Sequence, residues 1–252
     1  ALAERLELPF AEADIAVGAG NAEGAARKAR YRALLRIARE QRAPFVATAH
    51  HADDQLESMV MALLRGAGPG GLRGAAETRP LAEGVQLIRP MLGITRLEAR
   101  ELCRLAGTSW REDATNTDLA RMRAALRHGP LAALAELRPS GAVRASRAAA
   151  LMRDAAQLIE ERAEQILSQS DVWSRAALRR ELPAVLGHGL RRAALRLSGR
   201  AVSDRLTGRV VDPAVRAIRD EITQPRCFDW PGNLRLEVKA RTVSLTPSAG
   251  AK

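Results

Sequence analysis

Pro44 is followed by Phe45-Val46-Ala47-Thr48-Ala49, a short apolar run lying between two stretches of helical periodicity. A run this short and this apolar fits a strand covered on both faces, and a strand flanked by helices belongs in a parallel sheet. The stretch before it, about residues 22–42, is Ala-rich. Leu34, Leu35, Ile37 and Ala38 are set for burial, with Asn21 placed to cap. The stretch after it begins near Asp53 and repeats Leu56, Met59, Val60, Leu63 and Leu64 at helical spacing, which predicts that this face is buried. Further strands are predicted near Ala13–Val17, broken by Gly18-Ala19-Gly20, and at Val85–Arg89. A helix capped by Thr95 and Glu98 and ended by Gly107 follows. The expected fold class over residues 1–130 is therefore α/β, a parallel sheet with helices on both faces.

The pattern changes after Pro130. A long helix is predicted over 142–170, with Leu151, Leu158, Ile159, Ile166 and Leu167 on its apolar side. More helix runs to Arg200, interrupted at Pro183 and Gly187-His188-Gly189. Leu234-Leu236-Val238 and Val243-Leu245 then alternate with polar residues after the turn at Trp230–Asn233, which predicts a hairpin. Residues 131–252 are thus expected to form a second, mainly helical domain with a C-terminal hairpin.

Composition narrows the class. No apolar run approaches the ~20 residues of a membrane-spanning helix. Cys103 and Cys227 stand far apart, which argues against a disulfide scaffold, a zinc ribbon or an iron–sulfur site. The opening residues carry charges where a signal peptide would be apolar, so a cytoplasmic chain is expected. Residues 1–130 hold 19 basic and 16 acidic side chains, a net of +3, whereas 131–252 hold 21 and 13, a net of +8. The bias toward Arg over Lys does not explain that asymmetry, which points to a polyanion partner for the second half.

Three segments carry chemistry. In Ala47–Glu57, A-T-A-H-H-A-D-D-Q-L-E, two imidazoles and two carboxylates fall where a strand becomes a helix. Ligands of open α/β sheets bind beyond the carboxyl ends of the strands. One Asp can be a helix cap, but a cap leaves His50, His51 and the second Asp unexplained. Paired carboxylates suit a Mg²⁺ bound to nucleotide phosphates better than zinc. Arg65–Gly74 has five glycines in ten residues and reads either as a phosphate-lining loop or as a plain helix C-cap. In Trp110–His128 an acidic turn precedes a helix with Arg123 and Arg127 on one face, near Arg121 and His128.

Together these segments resemble the tRNA(Ile)-lysidine synthetases, ATP-dependent tRNA-modifying ligases of the N-type ATP pyrophosphatase group. The likeness rests on N-A-E-G-A-A-R-K-A-R-Y at 21–31, A-T-A-H-H-A-D-D-Q-L-E at 47–57 and L-L-R-G-A-G-P-G-G-L-R-G at 63–74. It continues through I-R-P-M-L at 88–92, W-R-E-D-A-T-N-T-D at 110–118 and F-D-W-P-G-N-L-R-L-E-V at 228–238. The resemblance implies that ATP adenylates C2 of the wobble cytidine of a tRNA(Ile) with a CAU anticodon, and that free lysine then displaces AMP to give lysidine. It implies His50, His51 and Asp54 as catalytic, and Arg27, Arg30, Asp53 and Gln55 as ATP-binding. Arg65, Arg73, Arg123 and Arg127 would bind tRNA or phosphate, and Asp53 and Asp54 would hold Mg²⁺. ATP, Mg²⁺, tRNA(Ile) and lysine are the implied ligands, and a homodimer is a further expectation.

Two departures qualify this. The family's Ser-Gly-Gly-x-Asp-Ser loop does not occur in the 252 residues, so the expectation is a chain truncated at its N-terminus and inactive alone. Arg123-Ala124 stands where the family usually has Arg-Asn. The alternatives are a non-catalytic tRNA-binding remnant and a tRNA 2-thiocytidine synthetase-like enzyme. The latter is disfavoured by the absence of Cys-x-x-Cys.

Overall fold

A computed structural model describes residues 2–15, 22–110, 122–167, 170–221 and 223–248. The expected Asn21 cap, the Gly18–Gly20 break, the end of the first expected strand, and 111–121 with Arg121 lie outside those residues. The chain forms two compact units, Ala1–Arg153 and Asp154–Lys252.

In unit 1, α1 (Leu2–Arg5) precedes α2 (Ala22–Glu40), β1 (Phe45–Ala47), α3 (Ala52–Leu64) and the short α4 (Pro69–Leu72). β2 (Thr78–Ala82), β3 (Val85–Ile88), α5 (Arg96–Leu105), α6 (Met122–His128), α7 (Pro130–Leu137) and the start of α8 (Gly141–Leu167) follow. The sheet has the order β1-β3-β2. β1 and β3 run parallel with Val46 opposite Leu87, as expected of the apolar run, but only Val46 of β1 is buried and Phe45 is 57% exposed, so the strand is covered on one face and not on both. Tyr31, Leu34, Leu35 and Ala38 of α2 pack on Val46, Val85 and Leu87. The sheet is mixed rather than all parallel, because β2 folds back antiparallel on β3 through Glu83-Gly84, with Gly84 at φ 74°. Pro80 breaks the alternation that would announce β2, and an edge strand tolerates it. Residues 13–15 of the first expected strand form no strand.

Burial on two helices departs from expectation. On α3 the buried residues are Ala52, Gln55, Glu57 and Ala62, while Leu63 and Leu64 are 58% and 66% exposed. On α8, Leu151 and Leu158 face solvent; Leu167 is buried as expected, and the rest of the buried stripe is Ala142, Ala149, Ala156 and Ala163. Alanines seven apart lie on one face and let a neighbouring backbone approach closely, which size-weighted periodicity overlooks. The first half of α8 is tied to unit 1 by Ser146 Oγ donating to Leu92 O at 2.9 Å and Arg153 Nη1 donating to Arg73 O at 2.7 Å. The division accordingly falls inside α8 and not near Pro130.

Unit 2 continues α8 into β4 (Val172–Ser174), α9 (Arg175–Leu178), α10 (Pro183–Ser198), a 3-10 turn (Arg200–Arg205) and α11 (Gly208–Arg219). β5 (Arg226–Trp230), β6 (Leu234–Val238) and β7 (Thr242–Pro247) close it, forming an antiparallel sheet β4-β7-β6-β5. The expected hairpin is β6–β7, with Leu236 opposite Leu245, and β4 and β5 extend it. Leu186, Leu190, Val211 and Ile218 pack with Leu236, Val238 and Val243 in its core. Gly187 and Gly189 do not interrupt α10. A Cβ on Gly189 would lie 2.2 Å from Leu167 Cδ1, so glycine there permits close packing.

Candidate functional site

The site is built where β1 ends and α3 begins. His50 leaves the strand with Nδ1 2.9 Å from Thr48 Oγ1, and His51 is the residue before α3. Asp54 Oδ2 accepts the His51 backbone N–H at 3.0 Å, so this carboxylate fastens the helix start. Asp53 Oδ2 accepts the backbone N–H of Arg96 at 2.7 Å, joining α3 to the head of α5. The two carboxylates meet at His51, whose Nδ1 is 3.3 Å from Asp53 and 3.6 Å from Asp54.

Behind them lies a residue that the sequence reading did not single out. Glu57 is 1% exposed, and Arg127 Nε and Nη2 donate to its two oxygens at 2.7 and 3.0 Å. Arg96 Nη2 donates to the same carboxylate at 3.1 Å. A buried carboxylate needs such partners to stay charged. Glu57 follows Asp54 by three residues on a helix, and that spacing is the signal that could have found it. Nothing in the sequence marks Arg96.

Electrostatics divides the two types of group. Burial lowers the pKa of His50, and the guanidiniums of Arg89, Arg27 and Arg30 add to that against the opposing pull of Asp54. Burial would raise Asp53, but hydrogen bonds from His51 and the Arg96 backbone outweigh it and hold the carboxyl at about 2. At neutral pH the site therefore presents the neutral imidazole of His50 and the ionised carboxylate of Asp53. Arg89 is buried, with Nη1 donating to Ala76 O at 2.6 Å.

The remaining sequence candidates divide. Arg27 and Arg30 are exposed on α2, close enough to act on His50, and Arg27 stacks over Tyr31 with its Cζ 5.2 Å from the ring centre. Arg123 reaches Ser58 Oγ at 3.4 Å, and Ala124 beside it is buried. Gln55 is turned away from the imidazoles. Its Oε1 accepts Ala75 N and its Nε2 donates to Ala75 O, both at 2.7 Å. Arg65 caps the far end of α3, roughly 18 Å along the axis from Asp53 at ~1.5 Å per residue. Arg73 lies in the glycine-rich segment, its carbonyl held by Arg153.

Residues 1–134 match the PP-loop domain family. The chain belongs to the PP-loop family. Among curated relatives, this PP-loop chain is 38% identical over 175 residues to the tRNA(Ile)-lysidine synthase of Pseudomonas fluorescens, covering 69% of the chain and 39% of the relative. It is 38% identical over 221 residues to that of Alkalilimnicola ehrlichii, covering 84% and 47%. With that of Ruegeria pomeroyi it shares 44% over 124 residues, covering 49% and 28%. The chain spans less than half the length of these relatives. No helix among the described residues is long and apolar enough to cross a membrane.

Proposed function

We propose that this chain carries the nucleotide- and cytidine-handling site of a tRNA(Ile)-lysidine synthase. The observation that carries the reading is His50, neutral and half-buried at the end of β1, beside Asp53 and Asp54 at the head of α3 and faced by Arg27, Arg30 and Arg89. That arrangement can neutralise a polyphosphate and accept a proton at one site.

An unactivated C2 oxygen is a poor leaving group, so it first attacks the α-phosphorus of ATP, the α–β anhydride bond breaks, and pyrophosphate leaves to give an adenylate ester. Arg27 and Arg30 neutralise the phosphates during that step. The ε-amine of lysine then attacks C2, AMP departs with the C–O electron pair, and His50 or His51 takes the proton lost from the amine. Asp53 has an oxygen that accepts no hydrogen bond among the described residues, whereas the second oxygen of Asp54 lies 4.0 Å from Arg127 Nη2. A Mg²⁺ held mainly by Asp53, water and phosphate therefore fits the site better than one shared equally by both carboxylates. Bound there, Mg²⁺ would screen the triphosphate. Gln55 supports the glycine-rich segment and does not touch nucleotide. Arg123 and Arg127 orient α6 toward α3, and Arg65 and Arg73 belong to an RNA-facing edge. tRNA(Ile) and lysine are the substrates, in the cytoplasm.

A non-catalytic RNA-binding role is the second reading, favoured by the basic excess of residues 131–252. ATP-dependent transfer of labelled lysine to a tRNA(Ile) transcript separates the two. Transfer that is lost in His50→Ala and Asp54→Ala supports catalysis. RNA binding without transfer in the full-length gene product supports the second reading.

A further inference from the structure

Arg89 is a buried cation to which the reaction outlined above gives no task of its own. It is 3% exposed and stands just beyond the end of β3, in the I-R-P-M-L segment. Val46 and Leu87 lie opposite each other across β1 and β3 and share a core with α2. Side chains alternate along a strand, so Thr48 and Arg89, two residues further on, leave the backbone on that same face. Thr48 N donates to Ile88 O at 3.0 Å, which carries the pairing past the last strand residues. Thr48 Oγ1 in turn lies 2.9 Å from His50 Nδ1. Arg89 and His50 are therefore neighbours of one threonine, at the carboxyl ends of two parallel strands, where ligands of such sheets bind.

The guanidinium is only half used. Nη1 donates to Ala76 O at 2.6 Å, whereas Nε is buried without a hydrogen-bond partner and Nη2 donates to no acceptor among the described residues. Nε and Nη2 form the fork edge of a guanidinium, and with that edge Arg127 grips both oxygens of Glu57. In Arg89 the same edge meets no acid among the described residues. A buried charge without a partner is costly, and an anion brought to it offsets the cost. After burial, Arg89 is the strongest of the influences that lower the pKa of His50, ahead of Arg27 and Arg30 and against Asp54. Arg27 and Arg30 are exposed on α2, where water screens them and their long side chains can swing. Arg89 is fixed by its burial and by Ala76.

We propose that Arg89 is the fixed oxyanion receptor of the site, its Nε–Nη2 edge taking two oxygens of a phosphate or a carboxylate on a substrate bound beside His50. Arg27 and Arg30 draw anions in, and Arg89 decides where one of them stops. Assigning that oxyanion to ATP or to lysine rests on the proposed function; the receptor itself does not.

The test is calorimetric titration of the full-length gene product, without Mg²⁺, with inorganic pyrophosphate, with lysine and with lysinamide. Pyrophosphate reports a phosphate contact, and a preference for lysine over lysinamide reports a carboxylate contact. R89K keeps the charge without the planar fork, and R89M removes both. Each should weaken the responsible probe at least about tenfold and leave the other within about twofold. The loss should persist at high salt because Arg89 is buried, whereas the loss in R27Q/R30Q should fade. Melting of both Arg89 variants without probe should match the parent, since an apolar chain in place of an unpaired buried charge is tolerated. Equal weakening of both probes, weakening of neither, or no binding of either by the parent would overturn the proposal. A markedly lower melting temperature in both variants would also overturn it, assigning Arg89 to the scaffold. Failure of lysine transfer with the Arg89 effect intact counts against the proposed function alone.

Discussion

Arg127 holds Glu57 by two parallel hydrogen bonds, Nε to Oε1 and Nη2 to Oε2, and the carboxylate they grip is almost wholly buried. Arg96 completes the cluster, so one carboxylate ties together α3, α5 and α6. Removing it leaves two guanidiniums without their charge partner. Glu57→Gln should cost about 3 kcal/mol of stability in denaturant titration. A loss under about 1 kcal/mol would mean that solvent already screens the cluster.

His50 should titrate below the ordinary histidine value of 6.5. Because the folded pKa lies under the unfolded one, protonation favours unfolding. The stability due to neutral His50 is present above about 6.5 and shrinks as pH falls through the lower folded value. An NMR titration of the ring protons reads the midpoint directly. A midpoint at or above 6.5 contradicts the account.

Asp53 moves in the acid direction. Its folded carboxyl sits at about 2 against an ordinary 3.8, so its contribution is full above 3.8 and is lost as pH falls toward 2. The group is partly exposed, which limits the effect to the order of 1 kcal/mol. Asp53→Asn should therefore be less stable than the parent at neutral pH, and the two should converge near pH 2. A gap that persists at that pH would assign the loss to packing.

Gly74 has φ +58°, and a Cβ there would lie 2.3 Å from Gln55 Oε1. Gly74→Ala should cost about 2 kcal/mol, through backbone strain and by displacing the Gln55 amide from Ala75. Gln55→Ala should cost a similar amount, and the double variant less than the sum, because both changes break one contact. Strict additivity would show that Gln55 does not act through this loop.

Much of unit 1 is legible in the sequence because its signals are local. Pro44 and the apolar run mark β1, Thr95 with Glu98 marks the head of α5, and Gly107 at φ 59° marks its end. The faces of α3 and of most of α8 are not legible, since burial there follows Ala and Gln contacts that hydrophobicity ranks low, whereas Ile166 and Leu167 at the end of α8 join the core as expected. β2 escapes because Pro80 interrupts it, and β4 because three residues carry no period. Within the site, His50, Asp53 and Asp54 stand out as adjacent polar groups at a strand end. Glu57 is hidden by its helical surroundings, and its arginine partners come from 39 and 70 residues away. Gln55 misleads for the opposite reason. It sits inside the motif, yet its side chain faces the glycine-rich segment.

The most direct test of the central claim uses the full-length gene product, ATP, Mg²⁺, labelled lysine and a tRNA(Ile) transcript with a CAU anticodon. The account predicts incorporation of lysine with release of AMP, lost in His50→Ala and Asp54→Ala variants that still fold and still bind the transcript. Full incorporation by either variant, or none by the parent protein, would contradict it.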